Sequence, residues 1–172
     1  MESFLEILKY TIPALIVFLT AYFLIKMHLE EQQQTRIMAF QNEQIRLTIP
    51  VKMQAYERLA IMIDRIGIPG MISRLRTPEM SVGELQLTLM MCVQQEFDYN
   101  AGQQIYVSDT IWKIIQSAKE GTLALIDRAG DQLNQSDPGE KLVGILIALN
   151  EQQSALCGKT LQAIRTEAAS IF

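Results

Sequence analysis

The chain holds 172 residues, 49% of them apolar and 20% charged, with a net charge of −4. So many aliphatic residues with so few charges exclude intrinsic disorder, and the length suits one domain plus an appendage. One histidine and two cysteines are too few for a structural zinc site, a histidine acid–base pair or a disulfide framework.

Tyr10 to Ile25 (YTIPALIVFLTAYFLI) is a run of sixteen uncharged residues between Lys9 and Lys26. Counted from Ile7 to Met27 it is twenty-one residues long, close to the roughly 20 that cross a ~30 Å hydrocarbon core as a helix. The pattern predicts a transmembrane anchor over residues 1–27. Lys9 and Lys26 would snorkel to the headgroups, and Tyr10 and Tyr22 would sit in the interfacial belts. Pro13 falls in the first turns, where a missing amide costs least. A cleaved signal peptide is disfavoured by Glu2 and Glu6 and by the absence of small residues near Lys26, and a buried core helix by the lack of any polar face. Lys26, Arg36, Arg46 and Lys52 outnumber Lys9, so the positive-inside rule places the N-terminus outside and the bulk of the chain in the cytoplasm, at a cell inner membrane. Cys92 and Cys157 lie in apolar helical contexts, as reduced, buried thiols do.

Residues 28–49 read as a glutamine-rich juxtamembrane stalk. Leu29, Ile37, Phe40 and Leu47 approach a heptad stripe that Gln33 and Arg36 interrupt, which leaves open both a coiled coil and a stalk packed on its own domain. Thr48-Ile49-Pro50 predicts a break. Beyond it, residues 50–172 have helical periodicity: Val51, Ala55, Leu59, Met62, Ile63 and Ile66 form one stripe, ending at Gly67-Ile68-Pro69-Gly70. Ser81 and Glu84 form a capping box ahead of Leu85, Leu89, Val93 and Phe97. Ser108 is the next N-cap, before Ile111, Ile115, Ala118, Leu125, Ala129 and Leu133. Asp137, Pro138 and Glu140 predict a further capped start. After it, the stripe from Leu142 to Ile171 is one helix or two, since Asn150 and Gly158 permit a break. Met71–Leu75 and Gln104–Val107 are short and turn-flanked, leaving open a minor two-stranded pairing. The expected fold is all-α: an N-terminal transmembrane helix continuing into a stalk, then a cytoplasmic bundle of about five helices.

The opening KYTIPALIVFLTAYFLIK, the stretch Met53–Leu59, and Gln103–Asp109 followed by Trp112 resemble an uncharacterised family, a domain of unknown function, of small single-pass membrane proteins from Bacteroidota-type bacteria. The resemblance covers nearly the whole chain. It implies an inner-membrane location and a cytoplasmic helical domain, and it brings no activity, substrate or catalytic residue.

No residue pattern points to catalysis. His28, the sole imidazole, lies at the expected interface, and Asp98, Asp109, Asp127 and Asp131 have no ligand spacing. Ser81 and Ser108 read as caps, because neither is set in a nucleophile elbow or followed by a histidine. No cofactor, metal or small-molecule substrate is expected, and the chain is not expected to be an enzyme. Charge is uneven: residues 1–45 carry −2, residues 46–76 carry +4 and residues 77–172 carry −6. The basic block, Arg46, Lys52, Arg58, Arg65, Arg74 and Arg76, either faces anionic lipid or is neutralised by the acidic remainder. Nucleic acid is not an expected partner, given the negative total and the lack of an aromatic-interleaved basic run. The sequence therefore predicts a membrane-anchored, non-catalytic interaction or scaffold protein, with the bilayer and protein partners or other copies of itself as its contacts. Its rival is an accessory or regulatory subunit of a membrane enzyme or transporter. Tyr106 and Trp112 are candidate partner anchors.

Overall fold

In the computed structural model, Glu2–Ile171 are described, with side chains described from Leu15 onward except at 34, 35, 37, 39, 41, 42 and 44. The described residues are all-helical: α1 (Glu2–Arg65), α2 (Ile68–Leu75), α3 (Val82–Asn100), a 3-10 helix (Ala101–Tyr106), α4 (Asp109–Gly130) and α5 (Gly139–Ala169). The chain divides into two compact units, Met1–Thr48 and Ile49–Phe172.

Helix α1 passes through Pro50 without interruption, so the break expected at Thr48-Ile49-Pro50 does not occur. A proline removes one amide donor and crowds the carbonyl four residues back, at about 3 kcal/mol. No glycine precedes Gly67, and the helix continues across Pro50 as it does across Pro13. In the first unit, the large apolar side chains from Leu15 to Leu47 whose positions are described are exposed. Among the described residues no helix is long and apolar enough to cross a membrane. The expected span begins at Ile7, and its side chains up to Ala14 lie outside those described.

The second unit is built on the three-and-four spacing of its apolar residues. Ala55, Tyr56, Leu59, Met62, Ile63 and Ile66 are buried and, Ala55 apart, join one core with Leu85, Leu89, Ile115, Ile126, Leu142 and Leu146. α4 packs against α3 and α5, and α2 fills the gap beside them. No strand forms among the described residues: Met71–Leu75 is helical throughout, and Gln104–Val107 is helical up to Tyr106. Pro69 sets the backbone of the first turn of α2, and Ile68 and Met71, three apart, both point into the core. Gln104–Tyr106 lie in the 3-10 helix that follows α3.

The helix starts are partly as the sequence predicts. The Ser81–Glu84 capping box is present in full, and the Ser108 hydroxyl accepts from the Ile111 amide. Asp137 does not cap α5. Its carboxylate turns to the Lys141 ammonium at 2.9 Å, while its carbonyl accepts from the Val82 amide at 2.8 Å. The Gly139 amide donates to the Met80 carbonyl at 2.8 Å, so the loops ahead of α3 and α5 are laced together. A Cβ at Gly139 would lie 2.8 Å from that carbonyl oxygen, which only glycine avoids. α5 is one helix through Asn150 and Gly158, because Leu142, Leu146, Gln153, Cys157, Thr160 and Ile164 give it a continuous buried face.

At the centre of that face Gln153 is 3% exposed. Its carboxamide NH2 lies 3.2 Å from the Ile66 carbonyl, 3.4 Å from Thr122 Oγ1 and 3.1 Å from Cys157 Sγ, and its Oε1 accepts from the Ile68 amide at 3.5 Å. One side chain thus serves a carbonyl after the end of α1 and an amide at the start of α2, backbone groups that helices leave unpaired. Gln153→Leu, which strands both groups in the core, is expected to lower the unfolding free energy by about 3 kcal/mol. Gln162→Leu on the exposed face of α5 is expected to change it by under about 0.5 kcal/mol. Urea unfolding of the full chain in detergent, followed by the fluorescence of the sole tryptophan, Trp112, checks both.

Candidate functional site

The structure gathers titratable side chains with shifted acidity at one place in the second unit, where α1, the start of α4 and the end of α5 meet. The Glu167 carboxylate accepts from the Tyr56 hydroxyl at 2.8 Å and from the Ser108 amide at 2.9 Å, and its other oxygen accepts from the Ser108 hydroxyl. Partial burial alone would raise the Glu167 carboxyl. The Ser108 hydroxyl and amide, the Tyr56 hydroxyl and the positive charge of Lys52 outweigh it and hold the group below its ordinary value. Burial, then the hydrogen bond to Glu167 and its negative charge, pushes the Tyr56 hydroxyl up to about 12. These donors and acceptors face one another, so the cluster acts as a clamp: an ionised carboxylate fastens the end of α5 to the N-terminus of α4 and to α1. Two open grooves flank it. One, of about 390 Å³, runs between α1 and α5 past Met53, Ala60, Ile164 and Ala168. The other, of about 550 Å³, lies between α4 and α5 past Ile114 and Ala163.

The basic residues singled out by the sequence are engaged within the second unit in five of six cases. Lys52 adds its charge to the clamp. The Arg58 guanidinium lies 5.8 Å from the Tyr99 ring centre, and Arg65 pairs with Glu96 at 2.8 Å. Arg74 donates to the Arg65 carbonyl at 2.6 Å, and Arg76 pairs with Glu140 at 2.7 Å. Arg46, in the first unit, is exposed. Tyr106 and Trp112 are both half-buried. Trp112 packs on Phe97 with ring centres 5.3 Å apart, and the Lys119 ammonium sits 4.4 Å from the Phe97 ring centre. Tyr99, near the end of α3, and Ile105, in the 3-10 helix, are large apolar side chains 75% and 73% accessible, which periodicity did not single out. Tyr22 and Lys26 are exposed on α1, with Lys26 3.9 Å from Glu30. Lys9 and Tyr10 lie outside the described side chains.

Cys92 and Cys157 are free thiols. Cys157 is pushed up to about 11, first by burial and then by the charge of Asp64, which keeps it protonated and inert near neutral pH. Among the described residues no group of three or more His, Cys, Asp or Glu side chains is placed to hold a metal ion. Sequence reasoning recognised Ser108 as a cap but missed Glu167 and Gln153. Their partners lie 59 to 111 residues away for Glu167 and up to 87 for Gln153, so no local pattern marks them.

A family model described as a family of unknown function (DUF7935) matches residues 2–171. No curated protein and no solved structure matches the chain.

The clamp gives the fold a signature at both ends of the pH scale. A depressed carboxyl contributes stability above its unfolded value, ordinarily 4.5, and that contribution is lost as pH falls through the lower folded value. A raised hydroxyl contributes below its unfolded value of 10.0, and loses that contribution as pH rises towards about 12. Glu167→Gln is expected to flatten the acid limb of the stability–pH curve, and Tyr56→Phe to flatten the limb above pH 10. Thermal melts of the full chain across pH check both.

Proposed function

Since the chain belongs to the DUF7935 family, whose function is unknown, we propose from its own residues that it is a membrane-anchored, non-catalytic interaction or scaffold protein presenting a helical domain to the cytoplasm. The observation that carries this reading is the exposed run Leu15, Ile16, Val17, Phe18, Leu19, Phe23, Leu24 and Ile25. These residues project from every side of α1, and leaving them all in water costs on the order of 10 kcal/mol or more. Lipid covers all sides of a helix at once, and a helix brings its own backbone pairing into the bilayer. The Thr20 hydroxyl supports the reading by donating to the Ile16 carbonyl at 2.7 Å, which is how a hydroxyl is satisfied in an apolar medium. Counted from Ile7 to Met27, with Lys9 and Lys26 snorkelling, the segment is twenty-one residues, a length adequate to span.

Orientation rests on the excess of Lys26, Arg36, Arg46 and Lys52 over Lys9, and the free thiols suit a reducing compartment. For the domain, support for interaction comes from what its polar groups do. The clamp fastens helix ends together and the arginines are committed to acceptors within the domain, while Tyr99, Ile105, Leu87 and Met91 are left exposed. A tether raises the effective concentration of such a surface near membrane partners.

The full chain is expected to stay with membranes through alkaline extraction, and a reporter fused after Phe172 is expected to be active only in the cytoplasm. Val17→Arg with Leu24→Arg, each worth about 3 kcal/mol against insertion near the middle of a span, is expected to release the protein into the supernatant. A wild-type chain found in the supernatant, or a C-terminal reporter active outside, overturns the reading.

A further inference from the structure

α1 is weakened where it passes Pro50. In a helix the amide of residue 50 would bond to the Arg46 carbonyl, and proline has no amide to give. Five of the seven residues from Ile45 to Val51 are β-branched or proline, namely Ile45, Thr48, Ile49, Pro50 and Val51, types that enter a helix less readily than leucine or alanine. Packing does not make up the difference: of these seven only Ile49 is half-buried, and Leu47 and Val51 are 66% and 43% exposed. The bundle takes hold of α1 just beyond. Lys52 lends its charge to Glu167, the Tyr56 hydroxyl donates to the same carboxylate at 2.8 Å, and Ala55, Tyr56 and Leu59 are buried. The boundary between the two compact units falls in the same stretch, between Thr48 and Ile49. A missing backbone bond, low helix propensity and missing burial thus coincide, and helices open locally where buried contacts are few and backbone bonds face water.

We propose that residues 46–50 are a hinge inside α1, a short stretch whose backbone bonds open and reclose while the helix from Tyr56 to Arg65 stays formed. Pro50 localises the opening, since one bond fewer has to break there. The Glu167 clamp stops it from travelling along α1 into the core, because Tyr56 is fastened through its hydroxyl to α5. Every residue involved lies beyond the proposed span, so the inference does not rest on the membrane reading. For a tethered domain the consequence is reach: a chain that bends at a joint meets partners in more than one direction without unfolding.

Limited trypsin digestion of the full chain in detergent tests the hinge. Cleavage needs a stretch of opened backbone, and Arg36, Arg46 and Arg58 are all exposed, so their cutting rates report opening and not access. The first cut is expected after Arg46, at least about ten-fold faster than after Arg36 or Arg58. Pro50→Ala, which restores the amide, is expected to slow that cut at least about ten-fold and to leave the cut after Arg58 unchanged. Hydrogen exchange of the same chains, read by mass spectrometry, is expected to show the amides of residues 47–51 exchanging faster than those on either side, and slowing in Pro50→Ala. Equal cutting after Arg36 and Arg46, or a cut after Arg46 indifferent to Pro50→Ala, overturns the inference. Glu167→Gln is expected to extend fast exchange from residue 51 as far as Tyr56 while Leu59 keeps its protection; an exchange pattern unchanged in that variant overturns the clamp as the limit of the opening.

Discussion

A buried glutamine between two helices is the constraint on which the second unit depends. Wherever a helix ends inside a protein, its terminal carbonyls and amides need partners, and in a dry core each orphan costs about 1–3 kcal/mol. The turn between α1 and α2 lies within the core, with Ile66 and Ile68 both nearly inaccessible. Gln153 answers both with one carboxamide, because a glutamine is donor and acceptor at once. α5 must therefore present its middle to the corner between α1 and α2, and its continuous buried face runs out from that point in both directions. Thr122 and Cys157 complete the set, bringing α4 to the same point.

The Glu167 clamp does for the outer end of the bundle what Gln153 does for its centre. Ser108 satisfies the first turn of α4 locally through Ile111 and, with the same hydroxyl, reaches a carboxylate on another helix. A carboxylate accepting several donors is held ionised, and negative charge at a helix N-terminus is stabilised by the helix dipole. The paired arginines extend the same logic, since Arg65, Arg74 and Arg76 bind acceptors supplied by α3, by the end of α1 and by α5. Ion pairs this exposed contribute little stability individually; their consequence is to commit positive charge that the sequence alone leaves open to other partners.

The two units bring different physics. The second closes its polar groups on one another around an apolar core, and the first leaves large apolar side chains uncovered along a helix. The functional reading grows from the uncovered side chains of the first unit.

Helical class, the approximate set of core residues, and the caps at Ser81 and Ser108 were legible because each is a local signal: a period near 3.6 or a hydroxyl three residues from an amide. Local signals failed where two of them competed or where tertiary contact intervened. Pro50 reads as a break, yet one missing donor does not stop a helix free of glycine on both sides. Met71–Leu75 is compatible with a strand until the core claims Ile68 and Met71 at helical spacing. Asp137 has the spacing of a cap, but its carbonyl is taken by the Val82 amide and its carboxylate by Lys141. Of the candidate site, the sequence singled out the arginines and Ser108 as residue types without their partners. By itself the sequence determined the helical class and which faces would be apolar, because periodicity is a property of neighbours along the chain. Which helix ends met Gln153, and which donors met Glu167, only the tertiary structure decided, because hydrogen bonds across 59 to 111 residues leave no trace in local order.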